Sequence, residues 1–457
     1  YVSKSNESLT QGYRNYSDAL IENTLNYDGK FGLNHINAVV GQTFQRELLH
    51  TLTGRGVNMP EPYYLQINNA VNTSATSYES EHVLASYIGR VNYDFDSKYL
   101  FSFTARRDGS SRLSSDDRWE WFPSVSGGWR IDRENFFTVP DNVVNLLKLR
   151  ASYGELGNEN IGEYQYMDVM ARGDYTYSFD NTKVTGSAIS NYVNTAIRWE
   201  KKRTVDIGLD LGMLNNQLEF TFDWYKSTSD DLLYSVPVPT NAGATNGAVT
   251  MNAATMVNSG LEFLLTYRNH KNPVKYDISA NLSTLRNKVT KLGVSGEPRT
   301  DGYSRTEVGR EVGAFYGYVY EGIFESQEQI DNRVNSLGEY VHQSGAQPGD
   351  VAYADLNNDG EITEADQQYL GSGIPKIHFG LNARVEWKGF DLNVSTYGSA
   401  KFKAVDFVDV TLRSSYGILN KSVDLLNAWT PDNTNTDVPR IAYKSYSKCS
   451  LSENCKY

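Results

Sequence analysis

The sequence predicts an all-β fold, a transmembrane antiparallel β-barrel with long extracellular loops. Three observations support this prediction: apolar and polar residues alternate, the connections alternate between short and long, and tyrosine is abundant. The 457 residues include 32 Tyr, and aromatic residues make up 12% of the chain. Tyr and Trp suit membrane–water interfaces because each side chain has an apolar and a polar end. No stretch approaches the ~20 apolar residues that a membrane helix needs.

Alternation is clearest between Thr204 and Trp224. Side chains of a strand point alternately to its two faces, so each run here has one apolar and one charged face. The pair Asn215-Asn216 predicts a tight turn that joins the runs into a hairpin. The residues expected to face lipid are Val205, Ile207, Leu209, Leu211, Phe220, Phe222 and Trp224, and later Phe379, Leu381, Val385 and Trp387. The residues expected to face the lumen are Asp206, Asp210, Glu219, Asp223, Asn382, Arg384 and Glu386.

The same pattern predicts twelve spanning strands in six consecutive hairpins. Their ranges are 26–32 with 34–45, 83–93 with 99–107, 119–131 with 149–156, 204–213 with 217–226, 259–268 with 274–284, and 378–387 with 390–399.

The connections between these strands fall into two classes. Turns within hairpins are short, 132–148 being the longest, whereas the links between hairpins at 46–82, 157–203, 227–258 and 285–377 are long. The link 108–118 is of intermediate length and falls on the same side as the long links by parity. Outer-membrane barrels have short periplasmic turns and long extracellular loops, whereas a β-sandwich has no reason to sort its loops in this way. Residues 314–324 resemble a further strand, but one more crossing would invert the last hairpin. We therefore interpret 285–377 as a single long extracellular insertion that includes them.

The net charge of the chain argues against nucleic acid as a partner. The net charge is −12, with 43 basic and 55 acidic residues, which disfavours binding to nucleic acid. Mean hydropathy is −0.51, and alternating strands are compatible with such a low value.

Cys449 and Cys455 are the two cysteines, and both a small loop disulfide and two unpaired thiols remain open. The chain starts at Tyr1 without Met or a signal-like segment, and we expect it to be an internal part of a longer polypeptide.

Residues 355–366 have the spacing of a calcium-binding loop. Ca²⁺ takes six to eight oxygen ligands, supplied by fixed loop positions around a glycine at position six, here Gly360. The predicted metal ligands are Asp355, Asn357, Asp359, the backbone carbonyl of Glu361, and Asp366. The alternative is an Asx-rich turn followed by a short helix with Thr363 as its N-cap. If Ca²⁺ binds, we expect it to staple the loop and not to take part in catalysis.

Motifs of catalysis are missing from the sequence. The six histidines form no HExxH pair, and neither a GxSxG nor a Walker-type loop occurs. We therefore predict that the chain is not an enzyme and that it has no catalytic residues.

Six segments together resemble the SusC/RagA-type TonB-dependent transporters of the Bacteroidota outer membrane. They include LRASYGELGN and WEKKRTVDIG, NSGLE, GAFYGY with GIF, the loop DLNNDG, and WTPDNTNTDVPR. These segments lie at 149–158, 199–208, 258–262, 313–324, 355–360 and 429–440.

This resemblance implies a 22-stranded barrel with an N-terminal plug domain, of which this chain would form about half the wall. The plug, the TonB-contacting segment and the C-terminal strands would lie outside the chain. It also implies active import of glycans or peptides across the outer membrane of a Gram-negative bacterium, using energy passed through TonB. A SusD-like surface lipoprotein would close over the barrel, often in a dimer of such pairs.

Two aromatic residues of the last loop region are candidate substrate contacts. Tyr416 and Trp429 would stack on sugar rings, although packing within the loops or anchoring of the lipoprotein explains them equally well. Two further functions stay open at this point. One is a calcium-stapled structural or adhesive protein of the outer membrane or cell surface, and the other is a secreted glycan-binding protein.

Overall fold

A computed structural model describes residues 8–59, 66–167, 170–180, 182–189, 193–238, 247–270, 272–293, 296–413 and 420–441. The predictions for Tyr416, Cys449 and Cys455 fall outside these residues. No helix in the described ranges is long and apolar enough to cross a membrane.

The first part of the described chain is dominated by long strands. In order they are β1 (Ser8–Phe31), β2 (Asn34–Val57), β3 (Asn72–Phe95), β4 (Tyr99–Ser110), β5 (Trp119–Arg130), β6 (Val144–Asn158), β7 (Met170–Phe179), β8 (Thr182–Ile189), β9 (Glu200–Met213), β10 (Leu218–Pro237), β11 (Ala248–Asn269) and β12 (Val274–Thr284).

Shorter strands follow before the last hairpin. They are β13 (Arg286–Lys291), β14 (Arg299–Asp301), β15 (Ser304–Thr306), β16 (Ala314–Gly317), β17 (Tyr320–Ile323), β18 (Val351–Tyr353), β19 (Gln368–Gly371), β20 (Ile377–Trp387) and β21 (Phe390–Ala400). Helical elements are short: the α-helices α1 (Gln327–Asp331) and α2 (Phe407–Arg413), and 3₁₀ turns at Ile67–Asn69, Ile131–Arg133, Glu364–Asp366 and Val423–Asn427.

All twelve predicted spanning strands occur in one antiparallel sheet. Its order is β1-β2-β3-β4-β5-β6-β9-β10-β11-β12-β20-β21, with β13 added beside β11. Apart from the insertions β7–β8 and β13–β19, neighbours in sequence are neighbours in the sheet, as expected for an up-and-down barrel wall. Several strands are longer than predicted, since β1 begins at Ser8 and β3 at Asn72. The hairpin β7–β8 lies outside this sheet and was missed.

The hairpin of β9 and β10 has the predicted faces. Phe222 pairs with Leu209 and Trp224 with Ile207 on one face, and Asp223 pairs with Gly208 on the other. Its turn holds three consecutive residues at positive φ: Leu214 at 57°, Asn215 at 58° and Asn216 at 62°. Asn tolerates this left-handed conformation better than most residues, so the Asn pair indicates the turn correctly.

The chain divides into two compact units, Tyr1–Asn281 with Asn382–Val394, and Leu282–Leu381 with Ser395–Tyr457. In the first unit, Leu113, Phe122, Ile197 and Trp199 form a buried apolar cluster. The second unit contains a four-stranded sheet in the order β14-β15-β16-β19 and the pair β17–β18. Residues 314–324 thus contribute to these small sheets and not to the long one. Their position relative to the membrane stays a prediction.

Candidate functional site

A charged cluster lies at the centre of the polar face of the long sheet. Arg150 on β6 has its Nη1 2.7 Å from Oδ1 of Asp223 on β10 and 3.7 Å from Oδ1 of Asp206 on β9. The Nε of Arg150 is 3.2 Å from Oδ1 of Asp210 on β9. One guanidinium therefore binds three carboxylates from two strands. Three of the four predicted polar residues of this hairpin share this network, whereas the fourth, Glu219, pairs with Arg268 at 2.8 Å.

Lys148 joins this network through its Nζ, 3.8 Å from Oδ2 of Asp210. Two cations face three carboxylates, so the cluster keeps one excess negative charge. A cavity of about 400 Å³ opens beside it, with walls that include His35, Asn37, Asp94, Ser126, Lys148 and Arg150. Such a surface offers hydrogen bonds to polar groups, whether of a solute or of another protein segment.

Sequence reasoning missed Arg150 as a member of this site. Arg150 lies at a position of β6 that alternation assigns to the polar face. A basic residue on this face, among strands that carry acidic residues there, is the signal that would have identified it. The contact with Asp223 depends on Gly208, which lies between the two residues on β9. A Cβ there would approach the Cζ of Arg150 to 2.6 Å and would also collide with the Asp223 carboxylate.

The opposite face of the same strands is apolar and exposed. Ile207 keeps 50% of its surface accessible, and Val205 and Trp224 keep 39% and 37%. Phe379, Leu381 and Trp387 on β20 are exposed in the same way. Exposed apolar side chains of this kind are costly in water and suit contact with lipid.

The predicted calcium loop adopts a tight conformation stabilised by its own side chains. The backbone N–H of Gly360 donates to Asp355 Oδ2 at 3.0 Å, and that of Asp359 donates to Asn357 Oδ1 at 3.0 Å. Gly360 has φ of 83°, the left-handed conformation that the motif reserves for glycine. Asp355 Oδ1 is buried and accepts no hydrogen bond from the described residues.

Electrostatics keep Asp355 ionised. Burial alone would raise the pKa of this carboxyl, but hydrogen bonds from the Asn335 side chain and the Gly360 backbone hold the pKa below its ordinary value. The group is therefore a carboxylate throughout the neutral range, as a Ca²⁺ ligand must be.

Asp366, predicted at the last ligand position, has another role in this conformation. It is fully buried, and its Oδ2 accepts the N–H of Thr363 at 2.8 Å while its Oδ1 accepts that of Leu356 at 2.9 Å. Thr363 and Asp366 form a capping box on the 3₁₀ turn Glu364–Asp366. This is the N-cap that the alternative interpretation of the loop predicted.

Within the described ranges, no three His, Cys, Asp or Glu side chains are grouped so as to hold a metal ion. The predicted ligand set includes an Asn and a backbone carbonyl in addition to carboxylates. It stays a prediction for the loop 355–366.

Trp429 packs within the second unit. Its ring lies against the backbone of Gly349, where a Cβ would be 2.6 Å from Cε3 of the indole, and the same Cβ would be 2.7 Å from Arg440. Arg440 is tied to Asp350 by a 2.6 Å ion pair. The indole N–H is buried and has no hydrogen-bond partner in the described part of the chain. The ring therefore has a packing partner, whereas a role in substrate contact stays a prediction.

The antiparallel sheet of alternating faces and its charged polar side define a β-barrel protein of the outer membrane. Residues 2–429 match the model of a family described as TonB dependent receptor-like, beta-barrel. The match covers most of the chain, so the chain belongs to the TonB-dependent receptor β-barrel family. This confirms the predicted fold class, the outer-membrane location and the prediction that the chain is not an enzyme.

Curated relatives have the same character. The chain is 33% identical over 446 residues to TonB-dependent receptor P3 of Formosa agariphila, with 94% of this chain and 43% of the relative covered. It is 31% identical over 386 residues to TonB-dependent receptor SusC of Bacteroides thetaiotaomicron, covering 82% of this chain and 36% of that protein. The chain thus spans less than half the length of the curated relatives it matches.

A solved structure supports the same assignment. The structure of the RagAB peptide transporter matches with a TM-score of 0.79 at 25% identity, covering 96% of this chain and 47% of that one. The predicted resemblance to the SusC/RagA type is therefore confirmed at the level of the family.

Proposed function

We propose that this chain forms part of the wall of a TonB-dependent importer of oligomeric nutrients, glycans or peptides. The observation that carries the proposal is the sheet itself, which is apolar on one face and carries the Arg150 cluster on the other. A wall of this kind separates lipid from a polar pathway. Its similarity to SusC and to the RagAB peptide transporter favours oligomers over small ions as cargo.

The proposed partners follow from the same family. A SusD-like surface lipoprotein would cover the extracellular side, two such pairs would form a dimer, and TonB would act through a segment outside the chain. The second unit, with its small sheets and the 355–366 loop, offers the docking surface that we propose for the lipoprotein.

Uptake by intact cells tests this proposal. Cells that carry the full-length protein should take up labelled oligosaccharides or oligopeptides, and an uncoupler or loss of TonB should abolish uptake. An affinity tag on the protein should copurify one surface lipoprotein from detergent-solubilised membranes. Uptake that continues without TonB would contradict active import. Adhesion to a surface with no uptake of any oligomer would instead support the structural or adhesive alternative.

We also propose that the loop 355–366 binds Ca²⁺ as a structural ion. The residues fit a hard cation in part: Asp355 Oδ1 is buried without a partner, and the side chains of Asn357 and Asp359 lie within 2.7 Å of each other. The carbonyl of Glu361 would complete the near side of the site. Asp366 would have to exchange its hydrogen bonds to backbone N–H groups for the ion, either directly or through water.

Limited proteolysis of the link 285–377 tests the calcium proposal. Ca²⁺ should slow cleavage near the loop and EDTA should restore it, while the variant Asp355→Asn should be cleaved equally with and without the ion. Glu364→Gln removes an exposed acidic group from the same loop at a position that supplies no ligand, and should behave as wild type. If the wild-type protein is cleaved at the same rate with and without Ca²⁺, the capped turn is the correct interpretation of the loop.

A further inference from the structure

Three aromatic side chains surround one arginine at an end of the long sheet. We call Tyr87, Arg107, Trp119 and Trp121 the arginine cluster. The guanidinium carbon of Arg107 lies 5.2 Å from the ring centroid of Trp119 and 5.7 Å from that of Trp121. Tyr87 stacks on Trp119 with centroids 5.9 Å apart. Cation–π contacts at these distances hold the guanidinium in place without neutralising its charge.

Register places the arginine cluster on the apolar face. Arg107 pairs with Tyr87 on one side and with Trp121 on the other. Ala105 and Phe103 precede Arg107 by two and four residues and lie on the same face of β4. Phe103 is 44% exposed. The cluster therefore continues the surface that faces lipid.

Its height on the sheet corresponds to one membrane interface. Trp119 and Trp129 lie ten positions apart at the two ends of β5, and an even spacing puts them on the same face. A tilted strand crosses the hydrocarbon core in about 9–11 residues. The two tryptophans thus mark two aromatic belts. The arginine cluster belongs to the belt beside the 111–118 link, which loop parity assigns to the outside.

The two belts differ in charge. At the other end of β5, the indole N–H of Trp129 donates to Glu134 at 2.9 Å, and the Tyr99 hydroxyl donates to the same carboxylate. Arg107 has no carboxylate within ion-pair distance in the described ranges, whereas Arg46 on β2, two strands away, is paired with Glu81 at 2.7 Å. The outer belt therefore presents an exposed, uncompensated positive charge beside half-exposed aromatic rings.

We propose that the arginine cluster binds the phosphate of an anionic lipid headgroup in the outer leaflet. A guanidinium matches the geometry of a phosphate with two parallel N–H···O hydrogen bonds. The rings of Trp119 and Trp121 fix its position at the depth where headgroups begin, and they offer apolar surface to the upper acyl chains. The occupant is a membrane lipid, since the site opens from the apolar face of the sheet.

This inference uses the membrane location of the chain and does not depend on import. A transporter that failed every uptake assay would still bind the lipid, and loss of lipid binding would leave uptake to be judged separately.

Lipid binding by the full-length protein, measured by native mass spectrometry from neutral detergent, tests the proposal. The probes are dioleoyl phosphatidic acid and dioleoylglycerol, which differ only in the phosphate. Wild-type protein should bind phosphatidic acid about tenfold more tightly than Arg107→Gln does, the effect of one charge-assisted contact. Dioleoylglycerol should bind both proteins equally.

The matched control is Arg90→Gln. Arg90 is an exposed arginine on the adjacent β3, and its Nε donates to Thr104 on the opposite face of the sheet. This variant should bind phosphatidic acid as wild type does. An equal loss in both arginine variants, or no loss in Arg107→Gln, would overturn the proposal. So would displacement of phosphatidic acid by an equal concentration of inorganic phosphate, because the site would then recognise a free anion and not a lipid.

A second variant covers the case in which Arg107→Gln fails to fold. Trp121→Leu keeps an apolar side chain on the lipid face and removes one ring beside the guanidinium. It should weaken phosphatidic acid binding about threefold, since a cation–π contact at an exposed site is weak. Unchanged binding in this variant, together with a misfolded Arg107→Gln, would count against the arginine cluster as the site.

Discussion

Arg150 and Asp223 form a 2.7 Å ion pair across an intervening strand. They lie on β6 and β10, and β9 runs between them. The two side chains meet above Gly208, the residue of β9 that pairs with both. Lack of a side chain at this position lets charges from three strands join one network.

Gly208→Ala should break this pair and destabilise the folded protein. A Cβ would approach Arg150 to 2.6 Å, and Asp223 would lose its closest cation while remaining only 15% exposed. We expect a loss of roughly 1–2 kcal/mol, less than for a fully buried pair. The measurement is the temperature at which the folded band of the full-length protein disappears in unboiled SDS electrophoresis.

The control for this change is Gly127→Ala on β5. A Cβ at Gly127 meets no atom within 4 Å, so this variant should retain the wild-type transition temperature. Equal shifts in both variants would mean that the strand glycines act through backbone flexibility and not through the Arg150 network.

Asn216→Ala should destabilise the β9–β10 turn more than Asn215→Ala does. Both residues are at positive φ, so each substitution incurs the left-handed strain, about 1 kcal/mol. Asn216 alone also exchanges hydrogen bonds with Asn145, through its side chain and through its backbone N–H at 3.2 Å. The same electrophoretic transition should fall further for Asn216→Ala by the equivalent of about 1 kcal/mol. Equal effects would show that the contact with Asn145 contributes nothing.

Trp429→Ala should loosen the segment around Gly349, because the indole covers that backbone. We expect faster hydrogen exchange at residues 347–353, corresponding to about 2 kcal/mol for a half-buried ring. Trp429→Phe keeps most of the packing and should exchange nearly as slowly as wild type. Oligomer uptake that falls in Trp429→Phe while exchange is unchanged would instead favour Trp429 as a substrate contact.

The sequence predicts the long sheet well because its signal is local and repeated. Alternation identifies all twelve strands along the path of the long sheet, and the Asn215-Asn216 pair marks a turn whose positive φ values favour such residues. The first half of β1 was missed because neither of its alternating faces is apolar throughout: Gln11 and Asn15 share a face with Leu9 and Tyr13.

The candidate sites were less predictable because they depend on contacts between distant residues. The register of three strands brings Arg150 to Asp223, and no local pattern encodes that register. Asp366 shows a different difficulty. Its spacing from Asp355 fits a calcium loop and its spacing from Thr363 fits a capping box, so one residue satisfies two motifs. Only the three-dimensional hydrogen bonds reveal that the box forms.

Glu311 should make the second unit sensitive to acid. Its carboxylate accepts from Lys376 Nζ at 2.9 Å and from the Tyr369 hydroxyl at 3.0 Å. Burial acts to raise its pKa, but these two donors together hold the pKa below the ordinary value of 4.5. The hydrogen bond with Glu311 also raises the pKa of Lys376, so the pair stays charged at neutral pH.

The sign of the pH effect follows from the lowered pKa of Glu311. Stability from this carboxylate is fully present above pH 4.5 and is lost as the pH falls through the lower pKa of the folded state. Hydrogen exchange at residues 368–371, corrected for the intrinsic rate, should therefore be constant from pH 7 to 5 and accelerate below about pH 4.5. Glu311→Gln should be less protected by about 1 kcal/mol at pH 7, since Lys376 is half-exposed, and should lack the acid-dependent loss. Glu339→Gln changes an exposed position in the same link and should follow the wild-type profile. If hydrogen exchange in Glu311→Gln still accelerates below pH 4.5, the acid sensitivity belongs to another carboxylate.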